Sequence, residues 1–182
     1  MPTRTPLLLI AAVALSLLSA CSPRLSTLTK DLRQQNGWTE AELSKIQFYL
    51  SEDLVLSRER NKGTTAIVQG RVRVENGKNI EEVVIKRGTP GVVLFTPKDD
   101  HVAVGFDARD DGRFLVFGPN PKQGGRYTLL ARDWSRYRGK VTYAGETWNV
   151  SAGNADVHLL FNLKRSGSTE VQSERPTGRR VN

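Results

Sequence analysis

Apolar and polar residues alternate with a period of two over most of the chain, from about residue 54 to residue 164. In residues 66–74 the even positions hold Ala, Val, Gly, Val and Val, and the odd positions are mainly polar. Asn76 and Gly77 follow at once, and both accept the positive φ angles of a two-residue hairpin turn. On the returning strand Val83 and Ile85 are two residues apart, so their side chains would face the same side of the sheet. The pattern therefore predicts β-strands with one apolar face.

Seven further short apolar runs follow at regular spacing. Turn signals rich in Gly, Pro, Asn and Asp separate them, and no helical pattern lies between them. Strands at this spacing are typical of antiparallel β-structure. We therefore predict a mainly β fold, either an antiparallel β-sandwich or a small barrel. The runs occupy residues 92–96, 101–107, 113–117, 127–132, 141–143, 147–150 and 157–163.

Two short helices are predicted before the strands. Leucines recur at helical spacing over residues 25–32, and Asn36 with Gly37 forms a helix stop. Thr39 with Glu42 three residues later forms a capping box that begins a second helix. Its apolar stripe fits packing on its own domain, although a partner-binding face has the same pattern. The stripe consists of Leu43, Ile46, Tyr49 and Leu50.

The first 21 residues carry an export pattern. Arg4 gives a basic start, residues 7–18 are almost wholly apolar, and small residues follow. This order is typical of a secretory signal peptide, and the apolar run is too short to span a bilayer. The run ends in Leu18-Ser19-Ala20-Cys21, and Cys21 is the only cysteine of the chain. This tetrapeptide resembles the lipobox of bacterial lipoproteins.

The resemblance implies that the signal is removed before Cys21 and that acyl chains on Cys21 hold the protein to a membrane. Two or more acyl chains hold firmly, whereas one gives only reversible binding. In the same class an aspartate after the cysteine resembles an inner-membrane retention signal, whereas this chain has Ser22. We therefore expect an outer-membrane protein that faces the periplasm. The alternative is a chance cysteine near a cleavage site, left as a free or intermolecular thiol.

The predicted organisation has four parts. Residues 1–20 are the signal peptide, and residues 21–24 are the lipidated cysteine with a short tether. Residues 25–165 form one mostly β domain that includes the N-terminal helices. Residues 166–182 are rich in Ser, Gly, Thr, Glu, Pro and Arg, have few side chains to bury, and are predicted to be disordered.

The chain is basic, with 27 Lys and Arg residues against 19 Asp and Glu residues and a net charge of +8. This balance favours anionic partners such as phospholipid, phosphorylated glycolipid or acidic wall polymer. Simple solubility is the alternative explanation, and nucleic acid is a poor candidate for an exported, lipidated chain. With one cysteine, placed at the proposed anchor, disulfides are not available to stabilise the fold.

A basic and aromatic stretch over residues 126–140 is the candidate binding site. Aromatic rings stack on flat ligands, and guanidinium groups bind oxyanions in pairs, so this composition suits a sugar, a phosphate or a partner protein. The alternative is that Tyr127 and Trp148 are core residues and that the arginines are solvated. The candidate ligand-binding residues are Arg126, Arg132, Trp134, Arg136, Tyr137 and Arg138.

Signals for catalysis, cofactors or metals are weak. The chain has no phosphate-binding Gly-rich loop and no Gly-x-Ser-x-Gly elbow, so we expect no cofactor and no catalytic residue. His101 and His158 lack metal-ligand spacing. The acids in residues 107–112 do not match a calcium loop, and their Asp-Asp-Gly favours a turn. Glu81 and Glu82 would point to opposite faces of a strand, so they do not form an acid–base pair.

These observations favour a lipid-anchored bacterial envelope protein that acts by binding. The first hypothesis is an accessory or assembly component that docks on another envelope protein, with a partly apolar contact patch. The second is a module that binds an anionic glycan, glycolipid or cell-wall polymer through residues 126–140. A hydrolase with a scattered active site is a third reading, and its mark would be perturbed carboxylates clustered in a deep cleft.

Overall fold

The computed structural model describes residues 25–60, 71–75, 78–98, 100–135 and 138–162, with side chains left out at 60, 71, 73 and 75. Two antiparallel sheets dominate this part of the chain. The strands are β1 (Leu25–Thr27), β2 (Phe48–Leu50), β3 (Leu54–Arg60), β4 (Arg71–Glu75), β5 (Lys78–Ile85), β6 (Pro90–Phe95), β7 (Val102–Gly105), β8 (Phe114–Asn120), β9 (Arg126–Leu129), β10 (Arg138–Tyr143), β11 (Glu146–Ser151) and β12 (Leu159–Asn162). The helices are α1 (Lys30–Gln35) and α2 (Glu40–Leu43), with 3₁₀ turns at Pro121–Gln123 and Ala152–Asn154.

The larger sheet has seven strands in the order β1-β12-β2-β6-β7-β8-β9, and the smaller has five in the order β10-β11-β3-β5-β4. All the strand pairs are antiparallel. Neither sheet closes on itself within the described residues, so the arrangement is sandwich-like and not a barrel. The predicted mainly β class is confirmed, and each of the seven apolar runs overlaps one of the strands β6 to β12, although the bounds differ by several residues.

The free edge of β9 is covered by the chain segments beside β1 and β12. The Tyr127 amide donates to the Leu28 carbonyl at 3.0 Å, and the Leu129 amide donates to the Val157 carbonyl at 3.0 Å. These bonds satisfy an edge that would otherwise be open to another chain. They also curve the larger sheet around the core, which contains Phe48, Phe117 and Phe161.

The helical predictions are wrong in extent. Residues 25–27 pair with β12 as strand β1, and α1 begins only at Lys30 after its N-cap, Thr29. A helix this short has little stability of its own, whereas the pairing of β1 with β12 places the next residue, Leu28, in the core. Strand β1 also means that the helices do not precede the sheet but lie between its strands β1 and β2.

The second helix has its predicted capping box between Thr39 and Glu42, but it ends at Leu43. Residues 48–50 form β2, where Phe48 and Leu50 face the core and Tyr49 is half-buried. The stripe predicted on a helix is therefore divided between a helix end and a strand. Its leucines are buried as predicted. Over residues 48–50, however, buried and half-buried side chains alternate as in a strand and do not follow the period of a helix.

The two sheets share a core made of large side chains. Trp148 and Tyr127 are fully buried, so the sequence alternative that placed both in the core is confirmed. Asn76 and Gly77 lie outside the described residues, although Glu75 is the partner of Lys78 across the β4–β5 pair. On edge strand β4 the side chains of the apolar positions face solvent, and Val74 is 72% exposed. The predicted signal peptide (residues 1–20), Cys21 and the predicted disordered tail (residues 166–182) also lie outside the described residues.

Gly91 allows the close packing of β6 against the core. A Cβ atom at this position would lie 2.5 Å from Cε1 of Phe106 and 2.9 Å from Cγ1 of Val104. We expect Gly91→Ala to reduce the free energy of unfolding by about 1–3 kcal/mol, because overpacking forces side chains out of their rotamers. Urea unfolding measures this, with Gly153→Ala as the control, since its Cβ would meet only the Ser151 Oγ at 3.7 Å. Equal effects of the two substitutions would contradict the close packing at Gly91.

Candidate docking surface

The predicted basic and aromatic site is divided between two places. Arg126 begins β9 and lines a shallow pocket with Thr27 and Lys122. Arg132 lies six residues further along extended chain, a distance of about 20 Å. Of the described candidates, Arg126 and Arg132 therefore lie apart, and they line different pockets.

The second place is the connection between β9 and β10. Arg132 and Lys140 exchange two backbone hydrogen bonds of 2.9 Å, which fix the two ends of this loop. Trp134 lies in the loop and is 41% exposed. A Cβ atom at Gly139 would lie 2.8 Å from the Trp134 Cε3 atom, so the glycine lets the indole lie against β10. An exposed ring beside two cations remains a suitable binding element.

The remaining candidate residues and Tyr127 differ in their exposure to solvent. Arg138 begins β10 and is exposed, whereas Arg136 and Tyr137 lie outside the described residues. Tyr127 is buried, and its hydroxyl accepts a 3.0 Å hydrogen bond from Arg33 Nη1. Burial raises the pKa of the Tyr127 hydroxyl, and the bond from Arg33 opposes this shift. This tyrosine belongs to the core and not to a binding surface.

A continuous apolar surface covers the outer side of strands β6 to β9. Among the described residues it includes three of the large apolar side chains with substantial exposure: Val92 (42%), Phe95 (37%) and Leu130 (37%). Half-buried Phe114 and Val116 connect them. We call this surface the outer apolar face, and it consists of Val92, Phe95, Phe114, Val116 and Leu130.

Strand register makes the outer apolar face continuous. Phe95 is the partner of Ala103, Ala103 is the partner of Val116, and the Leu130 amide donates to the Val116 carbonyl at 2.9 Å. These four residues form one row across β6, β7, β8 and the residue that follows β9. Phe114 lies in the next row, and its ring packs edge-on against Phe95 with centroids 5.0 Å apart.

Small residues in the middle of the sheet leave room for two of the apolar side chains. A Cβ atom at Gly105 would lie 3.0 Å from Cδ1 of Leu94, so Leu94 lies across the glycine. A Cβ atom at Gly118 would meet Leu130 Cδ1 at 2.9 Å and the His101 ring at 2.7 Å. Leu94 and Leu130 therefore lie against these glycines. An apolar surface of this kind can be buried by the apolar surface of a partner.

One side of the outer apolar face is cationic. Arg132 and Lys140 line a groove of about 310 Å³ whose apolar wall includes Phe114, Val116 and Leu130. Arg132 Nη2 donates to Thr147 Oγ1 at 3.4 Å, and Lys140 Nζ lies 3.4 Å from an Asp133 carboxylate oxygen. Both side chains are exposed, so their charges are available to an anionic group that approaches the groove.

A separate cleft of about 630 Å³ lies between the two sheets. Val83, Ile85, Phe106 and Tyr143 are among its lining residues, and burial raises the pKa of the Tyr143 hydroxyl. The acidic residue that lines this cleft is Asp107.

The Asp107 carboxylate accepts hydrogen bonds of 2.9 Å from Arg109 Nε and from Arg113 Nη1. The bonds from Arg109, followed by the bond from Arg113, hold the pKa of Asp107 below its ordinary value against the opposing effect of burial. A carboxylate held in its charged form by two guanidinium groups is poorly suited to general-base chemistry near neutral pH. The arginines also occupy the oxygens that a calcium ion would need.

The other acids and histidines are separated in space. Glu81 is buried on the core side of β5, where it forms a 2.9 Å ion pair with Arg58, and Glu82 points to the opposite face. His101 Nε2 lies 3.5 Å from an Asp100 carboxylate oxygen, and the His158 Nδ1 lies 2.9 Å from the Asp156 carbonyl. Across the described ranges, no three potential metal ligands form a cluster.

The sequence analysis missed the outer apolar face, although a signal was present. Strands β6, β7 and β8 read Pro-Gly-Val-Val-Leu-Phe, Val-Ala-Val-Gly and Phe-Leu-Val-Phe-Gly-Pro-Asn, with apolar residues on both parities. Strands that are apolar on both faces are expected to be covered on both faces. The alternation rule alone, which assumes one solvated face, did not find this feature.

No described helix is both long enough and apolar enough to cross a membrane. Comparisons with family models, curated proteins and solved structures found no match to this chain.

Proposed function

We propose that this protein is a lipid-anchored accessory or assembly subunit of a bacterial envelope, which docks on a partner protein through the outer apolar face. The observation that carries the proposal is the exposure of apolar side chains in one continuous patch across strands β6 to β9. Contiguous exposed apolar patches with a polar border are typical of protein interaction sites.

The anchor is supported by the sequence Leu18-Ser19-Ala20-Cys21 after a short apolar run. Acyl chains on Cys21 would hold the domain at a membrane, and Ser22 favours the outer membrane facing the periplasm. Only residues 22–24 separate Cys21 from β1. A partner would therefore be an envelope protein that reaches the same membrane surface.

The surface also indicates the chemistry of the partner. Its centre is aromatic and aliphatic, and its cationic side carries Arg132 and Lys140. A complementary partner has an apolar centre and acidic groups where it meets these two residues. Aromatic residues at the centre of an interface usually contribute most of the binding energy, so Phe95 and Phe114, whose rings pack against each other, are the expected anchors.

Site-specific photocrosslinking in intact cells tests the docking surface. A photoreactive residue placed at Phe95 or Leu130 is expected to capture one recurrent envelope protein in near-equal amount. The same residue at Lys78 or Lys122, both exposed and outside the outer apolar face, is expected to capture none. Capture at all four positions, or at none, would contradict the proposal.

Substitution then separates docking from folding. We expect Phe95→Asp together with Leu130→Asp to reduce recovery of the partner about 30-fold or more, as for loss of about 2 kcal/mol at an interface centre. Val72→Asp together with Val74→Asp is the matched control, because both are exposed apolar residues on the smaller sheet. Unfolding by urea shows whether either variant has lost its fold.

The second candidate function is binding of an anionic glycan, glycolipid or cell-wall polymer. The observation that favours it is the exposed Trp134 ring between β9 and β10, close to Arg132 and Lys140. Rings stack on sugars, and cations bind their phosphate or carboxylate groups. Recovery of such a glycan without any protein from crosslinks at Trp134 would support this function and contradict docking on a protein.

A further inference from the structure

The cleft between the two sheets has the size and the walls of a small-molecule site. Its volume of about 630 Å³ falls within the range of about 300–1,000 Å³ that such sites occupy. Val83 and Ile85 come from β5 of the smaller sheet, and Phe106 follows β7 of the larger sheet. These residues are not part of the outer apolar face, so the cleft is a second site that the proposed function does not use.

Tyr143 contributes a polar group to the cleft. It is only 5% exposed, yet its hydroxyl forms no hydrogen bond with any residue that the structure describes. A buried tyrosine hydroxyl usually has a hydrogen-bond partner. Burial raises the pKa of this hydroxyl, and the nearby Asp107 carboxylate raises it further, so the group keeps its proton at neutral pH. The Tyr143 hydroxyl can therefore donate a hydrogen bond to a molecule in the cleft.

The charged groups around the cleft are already paired with one another. Lys86 and Arg109 line the cleft, and both form ion pairs with carboxylates in the described part of the chain. The pairs are Lys86 with Asp53, Arg109 with Asp107, and Arg113 with Asp107 and Asp110. These three cations and three carboxylates carry no net charge. An anionic ligand would have to compete with the carboxylates for the cations and lose its own hydration, so the cleft favours an uncharged ligand.

We propose that this cleft binds an uncharged amphipathic molecule with an acyl chain, of the kind that a glycerol monoester represents. The acyl chain lies against Val83, Ile85 and Phe106, and its carbonyl oxygen accepts a hydrogen bond from the Tyr143 hydroxyl. In sites of this type burial of the apolar chain supplies most of the affinity, and a well-placed polar group fixes the orientation of the ligand.

Calorimetric titration with glycerol monodecanoate tests the proposal. The protein is the full chain with Cys21→Ser, so that no acyl chain of its own competes for the cleft. We expect saturable binding of the monoester, and binding of decanoate that is weaker by about tenfold or more, because burial of its carboxylate is not compensated. Absence of binding by the monoester, or equal or tighter binding of decanoate, would contradict the proposed class of ligand.

Two substitutions locate the binding in the cleft. Tyr143→Phe keeps the ring and removes the hydroxyl, and we expect it to weaken binding about fivefold, as for the loss of one hydrogen bond. Ala108→Trp places a large ring at an exposed position that lines the cleft. We expect it to weaken binding about 30-fold or more, because the ring occupies space in which the acyl chain would be buried.

Two controls separate the cleft from other apolar surfaces. Ala41→Trp adds the same ring at an exposed position on α2, outside the residues that line the cleft. Phe95→Asp together with Leu130→Asp disrupts the outer apolar face, so failure of the docking proposal is distinguishable from failure of this one. Both controls are expected to bind the monoester as before. Full binding by either cleft variant, or loss of binding by either control as a folded protein, would overturn the proposal. Urea unfolding shows whether each variant is folded, and the comparison with decanoate needs no cleft variant.

Discussion

Trp148→Ala is expected to reduce the free energy of unfolding by about 4 kcal/mol, the largest effect on stability that we predict. Truncation of a buried Trp removes its apolar contacts and leaves a cavity that the core cannot fill. Trp148 is fully buried, packs edge-on against Tyr143 at 6.3 Å, and has the Arg58 guanidinium 4.5 Å above its ring. Its indole N–H also donates a 3.0 Å hydrogen bond to the Tyr143 carbonyl.

Trp134→Ala is the matched control for this substitution. Trp134 is 41% exposed, so we expect its removal to change the free energy of unfolding by less than about 1 kcal/mol. Urea unfolding of both variants under the same conditions provides the comparison. Similar losses in the two variants would show that Trp134 belongs to the core and is not a surface residue.

Cys21→Ser is expected to have the largest effect on location. The wild-type protein should enter the detergent phase on partition and incorporate labelled palmitate, because each buried methylene contributes about 0.8 kcal/mol. The serine variant should incorporate no label and move to the aqueous phase. Detergent partition with metabolic labelling measures both properties.

Ser22→Ala is the control for the cysteine substitution, because it changes the neighbouring residue and leaves the thiol in place. It should keep the label and the detergent phase. If the cysteine variant stays in the detergent phase, or if the wild-type precursor is cut at another position, the assignment of Cys21 as the anchor is wrong.

Anchoring and docking are compatible in this fold. The β1–β12 end of the larger sheet carries the connection to Cys21, and strands β6 to β9 of the same sheet carry the outer apolar face. In the proposed function a short tether holds the domain at the membrane, so its partner is met in a restricted volume. Tethering of this kind raises the effective concentration of a weak docking surface.

The candidate site could be predicted only in part. The sequence indicated residues 126–140, and the exposed Trp134 with Arg132 and Lys140 lies there. Arg126 is separated from them because extended chain places it at the far end of β9. Phe95 and Phe114 were not considered as site residues, because they come into contact only through the pairing of β6, β7 and β8.

The helical predictions show why local pattern is insufficient. Leu25, Leu28 and Leu32 have helical spacing, yet Leu25 is in a strand and α1 begins at Lys30. Short segments have weak preferences, so pairing with a distant strand decides their conformation. The partner of β1 is β12, at the other end of the described chain.

By itself, the sequence determined the mainly β class, most strand positions and the capping box, because alternation and capping involve neighbours in the chain. It also carries the basis for the proposed anchor. The tertiary structure was needed to show that Trp148 is core and Trp134 is surface, that the outer apolar face is continuous, and that Leu25 pairs with Asn162. Each of these depends on which distant strands pair and in which register, and that choice is made by the burial of side chains from the whole chain at once.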